Sequence, residues 1–180
     1  MALVLQYDGG AFAGWQLQPN ARTVQGDLEA ALARLANRRV AALGAGRTDA
    51  GVHALGQVAA VAMPDRWRPA ELVRALNALL PDDVWVSSAR RMPPGFNPRR
   101  DAVERTYCYR IGTDAGARSP FRRRWEWAVP QSLDVGALRD AAAALHGTHS
   151  FRALSAVGVA REHWRCRVSE AVWQRREDAP

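Results

Sequence analysis

Along residues 1–90 the spacing of apolar positions switches between a period of two and a period near 3.6. Ala2–Tyr7 alternates, with Leu3, Leu5 and Tyr7 on one face, and Asp8-Gly9-Gly10 ends the run, which predicts a strand. Thr23 can cap a helix whose stripe is Val24, Leu28, Leu32 and Leu35. A short strand is expected near Arg39–Leu43, and Leu55–Met63 is apolar and compatible with another. Pro69 suits a first helical turn, Leu72, Val73, Leu76 and Leu80 supply the apolar face, and Pro81 stops the helix. Val84–Ser88 is a further strand. The order β-α-β-β-α-β is the ferredoxin-like pattern, in which helices cover one face of an antiparallel sheet.

Residues 92–101, Met-Pro-Pro-Gly-Phe-Asn-Pro-Arg-Arg-Asp, read as a connector. Val103–Ile111 alternates strictly and places Arg105, Tyr107 and Tyr109 on one face with Ile111, with Tyr109 read as core. A strand is expected around Trp125–Val129 and another over Arg167–Trp173. Between them Asp134 caps a helix with Val135, Leu138, Ala142 and Leu145 inward, closed by Gly147. This second series stops before completing a β-α-β-β-α-β unit. The predicted fold class is α+β, with tandem ferredoxin-like units built on antiparallel sheets. Residues 1–91 form the N-terminal domain, 92–102 the connector and 103–180 an incomplete C-terminal domain.

Composition narrows the picture. A chain of 180 residues, 48% hydrophobic, can bury a core. No apolar run approaches the ~18 residues of a membrane span. The start, Met-Ala-Leu-Val-Leu, lacks a basic region, so no secretory signal is expected. Cys108 and Cys166 form no CxxC and are expected to behave as small hydrophobes in a reducing cytoplasm. The net charge of +7 is uneven: residues 1–89 hold 8 Arg and 8 acids, residues 90–180 hold 17 Arg and 10 acids. The second half therefore attracts polyanions such as nucleic acid, unless the charge is only a solvated basic surface.

The most informative stretch is Gly44–Ala54, Gly-Ala-Gly-Arg-Thr-Asp-Ala-Gly-Val-His-Ala. One carboxylate, Asp49, sits among Gly44, Gly46, Gly51 and Gly56, with Arg47 two residues before it. Glycines let a backbone turn tightly and approach a ligand closely. An isolated Asp in such a loop is ordinarily a turn former bonding its own backbone; the length and composition of the whole string outweigh that reading here. His53 is expected to order the loop rather than transfer protons. His146-x-x-His149 could suggest metal ligands, but Gly147 breaks a helical presentation and no acid follows at ligand spacing, so no metal is expected. Arg122-Arg123-Arg124, followed by Trp125 and Trp127, reads equally as a grip on RNA backbone or as a solvated strand edge.

Several pieces occur together and in order: Asp8-Gly9, Gly14-Trp15-Gln16, Val24-Gln25, Gly46-Arg47-Thr48-Asp49-Ala50-Gly51-Val52-His53-Ala54-x-Gly56-Gln57, Asn77-x-x-Leu80-Pro81 and Arg105-x-Tyr107-x-Tyr109. In these the chain closely resembles the tRNA pseudouridine synthase A family, from residue 2 to about residue 175. The resemblance implies two ferredoxin-like domains facing each other across a basic cleft, usually in a homodimer. It implies isomerisation of uridine to pseudouridine in the tRNA anticodon stem-loop, at positions 38–40. Asp49 is implied as the catalytic aspartate, Arg47 as entering the space vacated by the flipped uridine, and Tyr107 as packing on the uracil. The partner implied is tRNA, and a reaction that oxidises nothing and consumes no water requires no cofactor and no metal.

The chain also departs from that pattern. Phe96-Asn97-Pro98-Arg99 stands where the family commonly has Phe-x-Ala-Arg, and Gly147-Thr148-His149-Ser150-Phe151 lacks the family's acid. The closing apolar strand and helix with a Met-[Val/Ile]-Arg pattern, which supplies a basic partner for the aspartate, is missing; Arg165 and Arg167 lie too early to replace it. A C-terminally truncated member is expected, with weak or no activity alone and exposed apolar surface on its second domain. Two other classes fit the residues less well. A non-catalytic RNA recognition domain is disfavoured because Leu55–Met63 contains no aromatic and no Arg-Gly-Phe-like string. A metal hydrolase built on Asp49, His53 and the His pair would lose activity to a chelator.

Overall fold

The period-two pattern at the start of the chain forms a strand, β1 (Ala2–Tyr7), in a computed structural model that describes residues 1–154 and 164–175. Next come α1 (Val24–Ala36), β2 (Ala42–Gly44), β3 (Ala54–Val61), α2 (Pro69–Asn77) and β4 (Val84–Arg90). All pairings in this sheet are antiparallel, in the order β2-β3-β1-β4. Leu3, Leu5 and Tyr7 of β1, Ala59 and Val61 of β3 and Val84 and Val86 of β4 face the helices and pack with Val24, Leu28, Leu32, Leu72 and Leu76. One face of the sheet is thus buried under helices, as alternation requires. These elements lie in a compact unit, Met1–Tyr107; a second comprises Cys108–Pro180.

Local chemistry sets the ends of the elements. Thr23 Oγ1 accepts from the Gly26 amide at 3.2 Å and opens α1. Asn37, at φ 53°, closes it in the left-handed region. At the other end of the sheet β4 is an edge strand, whose outward backbone groups need partners. Asn77, the last residue of α2, supplies them: its Nδ2 donates to the Val86 carbonyl at 2.9 Å and its Oδ1 accepts from the Val86 amide at 2.8 Å. Asn77→Ala is expected to destabilise the unit by roughly 2 kcal/mol, as both backbone groups lose their partner; urea denaturation checks this, and a cost under about 0.5 kcal/mol would contradict it.

The second unit follows its pattern less closely. Residues 103–110 lie in no strand, although Val103–Ile111 was predicted to be one. Only β5 (Ile111–Gly112) pairs, in parallel with β6 (Trp127–Ala128). Extended residues become a strand only in a hydrogen-bonded ladder; the Trp127 amide donates to the Arg110 carbonyl at 2.8 Å at the end of this stretch, but residues 103–110 join no ladder. Tyr109 is accordingly exposed, not core. Asp134 does cap α3 (Val135–Leu145), accepting from the Ala137 amide at 3.1 Å. Of its predicted inward residues Ala142 is buried and Leu138 half-buried, whereas Val135 and Leu145 are exposed. β7 (Gly147–Ser150) pairs antiparallel with β8 (Arg165–Val168), two residues earlier than the predicted Arg167–Trp173. Phe121, Trp127, Leu154 and Val172 present apolar surface to solvent. Cys108 and Cys166, expected to behave as small hydrophobes, are free and exposed. Among the described residues no helix is long and apolar enough to cross a membrane.

Candidate active site

The glycine-rich loop joins the paired strands β2 and β3, so both its ends are fixed by the sheet. Ala45 extends the ladder by donating to the Val58 carbonyl at 2.7 Å. In β3 the register slips: Gln57 pairs with Leu5 but Ala54 with Tyr7, which leaves one extra residue at Leu55–Gly56. A glycine inside a strand commonly marks such a bulge. Gln57 continues the buried face of Ala59 and Val61, beneath the loop, and the bulge breaks that alternation, leaving Leu55 and Gly56 exposed.

A second segment, residues 8–15, wraps the loop from the other side. Trp15 donates its amide to the Thr48 carbonyl at 2.9 Å, and Gly51 donates to the Phe12 carbonyl at 3.2 Å. Gly14, at φ +103°, brings its backbone so close that a Cβ there would stand 2.6 Å from the Thr48 carbonyl oxygen. A Cβ on Gly9 would overlap the Val52 carbonyl. The indole of Trp15 lies under Gly44, where a Cβ would come within 2.6 Å of the ring. The motifs Asp8-Gly9 and Gly14-Trp15 therefore form the other wall of the loop, far from it in sequence and against it in space.

His53 ties the far end of the loop. Its Nδ1 lies 3.1 Å from the Gly9 amide and 3.0 Å from Asp8 Oδ1. One ring nitrogen carries either a lone pair or a proton, so these two contacts are not both hydrogen bonds at once. With a lone pair Nδ1 accepts from the Gly9 N–H; with a hydrogen it donates to Asp8 Oδ1. In either state the ring orders the loop, as expected from the sequence.

Within this frame Arg47 and Asp49 share one exposed turn. The Asp49 carbonyl accepts from the Val52 amide at 3.2 Å. Among the described residues, no hydrogen bond or ion pair engages the Asp49 carboxyl or the Arg47 guanidinium. The carboxyl therefore does not act as a turn former on its own backbone and is open to solvent. Tyr107 is 75% exposed, in the stretch 103–110. Its motif nonetheless reaches the base of the loop: Arg105 donates to the Ala45 carbonyl at 3.3 Å and to the Arg99 carbonyl at 2.9 Å. Arg99, from the segment read as a connector, donates through Nε to the Gly44 carbonyl at 3.1 Å.

Tyr7 lies beneath Thr48, its hydroxyl 2.9 Å from Thr48 Oγ1. Burial raises its pKa above the ordinary 10.0, while the bonds to Thr48 and Gln57 pull the other way. A raised folded-state value means that Tyr7 stabilises fully below pH 10 and loses that contribution as pH rises through the shifted value. Denaturation at about pH 9 and about pH 11 is expected to show the wild-type advantage over Tyr7→Phe shrinking at the higher pH; an advantage that grows there would contradict the sign.

The remaining candidates separate. His149 Nε2 contacts the His146 backbone carbonyl at 2.8 Å. Among the described residues no three His, Cys, Asp or Glu side chains group as metal ligands. In the Arg122-Arg123-Arg124 run, Arg122 is held by Asp114 at 2.7 Å and Glu126 at 2.8 Å, bonds that raise its pKa and lower that of Asp114. The run lies in turns rather than on a strand edge, and only Arg123 and Arg124 stand exposed. Tyr7, Thr48, Arg99 and Arg105 were not singled out from sequence as parts of the loop's support. The signal was available in the ordered motif pieces, which had a shared structural reason.

Comparison with known proteins agrees with this frame. The profile of the tRNA pseudouridine synthase family matches residues 3–99, which include the loop and both of its walls. The chain is 48% identical over 151 residues to the tRNA pseudouridine synthase A of Thermosipho africanus, covering 83% of this chain and 61% of that protein. It is 45% identical over 152 residues to that of Thermotoga neapolitana, covering 84% and 62%. To that of Myxococcus xanthus it is 44% identical over 163 residues, covering 91% and 61%. The chain spans about three-fifths of the length of the relatives it matches. A profile match over more than half of its residues, on the segment that builds the site, places the chain in a family: it belongs to the tRNA pseudouridine synthases.

Proposed function

We propose that this chain isomerises uridine to pseudouridine in tRNA, at positions 38–40 of the anticodon stem-loop, with Asp49 as the catalytic residue. The observation that carries the reading is an exposed, unpaired carboxylate on a turn braced from both sides, inside the segment that the family profile matches. The reaction breaks the bond from C1′ of ribose to N1 of uracil, turns the base, and joins C1′ to C5. The C5 hydrogen leaves as a proton and N1 gains one, so atoms balance without an oxidant or a cofactor. The carboxylate serves as nucleophile toward the sugar carbon or the ring, or as electrostatic partner of a cationic sugar.

A stacked base must first leave the helix, which costs a few kcal/mol. Arg47, two residues from Asp49, fills the vacated space and pairs with phosphate. Tyr107 then packs on the uracil, a contact worth ~1–3 kcal/mol per base. The architecture proposed for the working enzyme is tandem ferredoxin-like domains around a basic cleft, 1–91 and 103–180 about the 92–102 connector, in a cytoplasmic homodimer. The test uses unmodified tRNA transcripts with the chain in excess, so that slow turnover is visible. Pseudouridine is expected at positions 38–40; product only elsewhere would overturn the assignment of position. A second reading, tRNA binding with weak or no turnover, is favoured by one observation: Tyr107 stands outside any sheet and is 75% exposed. Retained tRNA binding without product would select it.

A further inference from the structure

Two buried side chains with polar ends, Gln57 and Tyr7, hold the loop that carries Asp49. In the first unit the buried polar residues, among those described, are Thr23 and Gln57. Thr23 is accounted for by its helix cap. Gln57, 9% exposed, lies in a face that is otherwise apolar, where an amide costs free energy unless its groups are used. Both reach Gly46, beside the bond of Gln57 to Tyr7: Nε2 donates to the Gly46 carbonyl at 2.7 Å, and Oε1 accepts from the Gly46 amide at 3.4 Å. Packing does not fix Gly46, since a Cβ there would meet nothing within 4 Å. The buried Tyr7 hydroxyl meets Thr48 Oγ1, and the Thr48 carbonyl is taken by Trp15. Gly46 and Thr48 flank Arg47, and Asp49 follows.

We infer that Gln57, Tyr7 and Thr48 are positioning residues: they touch no substrate but clamp Gly46 and Thr48, and so set where Arg47 and the Asp49 carboxyl stand. The inference rests on the reading of Asp49 as the reacting acid. A glycine-rich run freed of these ties samples many conformations, and a misplacement near 1 Å can cost about a hundredfold in rate.

The experiment compares wild type with Gln57→Leu, Tyr7→Phe, Thr48→Val, Thr48→Ser and the Tyr7→Phe/Thr48→Val pair. It reads pseudouridine formation and hydrogen exchange across residues 44–52. Gln57→Leu, Tyr7→Phe and Thr48→Val are expected to lower kcat about 10- to 100-fold with KM for tRNA within about threefold. Thr48→Ser keeps the hydroxyl and is expected to retain activity within about threefold, and the double variant to be no slower than its slower parent. Exchange should quicken in 44–52 and stay unchanged in β1 and β4. Unchanged kcat in all three single variants overturns the inference, as does a rise in KM alone. If wild type forms no pseudouridine, the reading of Asp49 fails and takes the catalytic part of the inference with it. Exchange then still decides the clamp: faster exchange in Gln57→Leu supports it, and wild-type exchange refutes it.

Discussion

Asp49→Asn and Asp49→Ala are expected to lose pseudouridine formation by at least about a thousandfold, a loss of roughly 4 kcal/mol or more in transition-state stabilisation. Asn keeps the shape of the side chain but has no charge to offer a cationic sugar and no lone-pair anion to attack with. Neither variant should unfold. The carboxyl is exposed and makes no hydrogen bond or ion pair among the described residues, and substitutions at such positions usually shift stability by no more than about 0.5 kcal/mol. Affinity for tRNA should also persist, because binding is spread over many phosphate contacts with arginine. A large loss of stability in either variant would mean that the acid serves the fold, contrary to its geometry.

Trp15→Ala is expected to have the opposite profile, with stability as its main casualty. The indole is 1% exposed, lies directly under Gly44, and faces the Tyr7 ring at a centroid distance of 6.3 Å. Deleting a buried aromatic of this size costs about 3–5 kcal/mol. In a unit of this size that lowers Tm by roughly 15 °C or more. The Trp15 backbone bond to Thr48 survives the substitution, so activity measured well below Tm should fall less than in Asp49→Ala. Thermal unfolding decides: a cost below about 1 kcal/mol would show that the ring is not the packing support of the loop.

How far the sequence speaks depends on whether the deciding contact is local. The strands and helices of the first unit were legible because Leu3, Leu5 and Tyr7 keep a period of two and Val24, Leu28 and Leu32 keep a helical stripe. Caps at Thr23 and Asp134 were legible for the same reason, since a cap acts within three residues. The bulge at Leu55–Gly56 was not, because it exists only in the register against β1. Residues 103–110 carry strand alternation but meet β6 at Arg110 without joining a ladder, so a correct local pattern gave an incorrect element. In α3 the expected inward stripe holds only at Leu138 and Ala142, while Val135 and Leu145 are exposed.

The site divides in the same way. Asp49 and Arg47 stood out through their glycine setting, and both do stand on one exposed turn. The supports were hidden because each is a long-range contact: Gln57 with Gly46, Tyr7 with Thr48, and Gly9 and Gly14 against the backbone of 48–52. His53 is the exception, a residue assigned by type to ordering the loop and found against Gly9. Arg122 shows the converse risk, since a cation in a basic run turns out to be neutralised by Asp114 and Glu126.

The most direct test follows the hydrogen that the reaction must expel. Joining C1′ to C5 releases the C5 hydrogen of the target uridine, so a transcript labelled with tritium at C5 reports bond formation as label in water. With the chain in excess over such a tRNA, wild type is predicted to release label in step with pseudouridine formed, and Asp49→Asn to bind the same tRNA and release none. Equal release from the two proteins would contradict the assignment of the chemistry to Asp49.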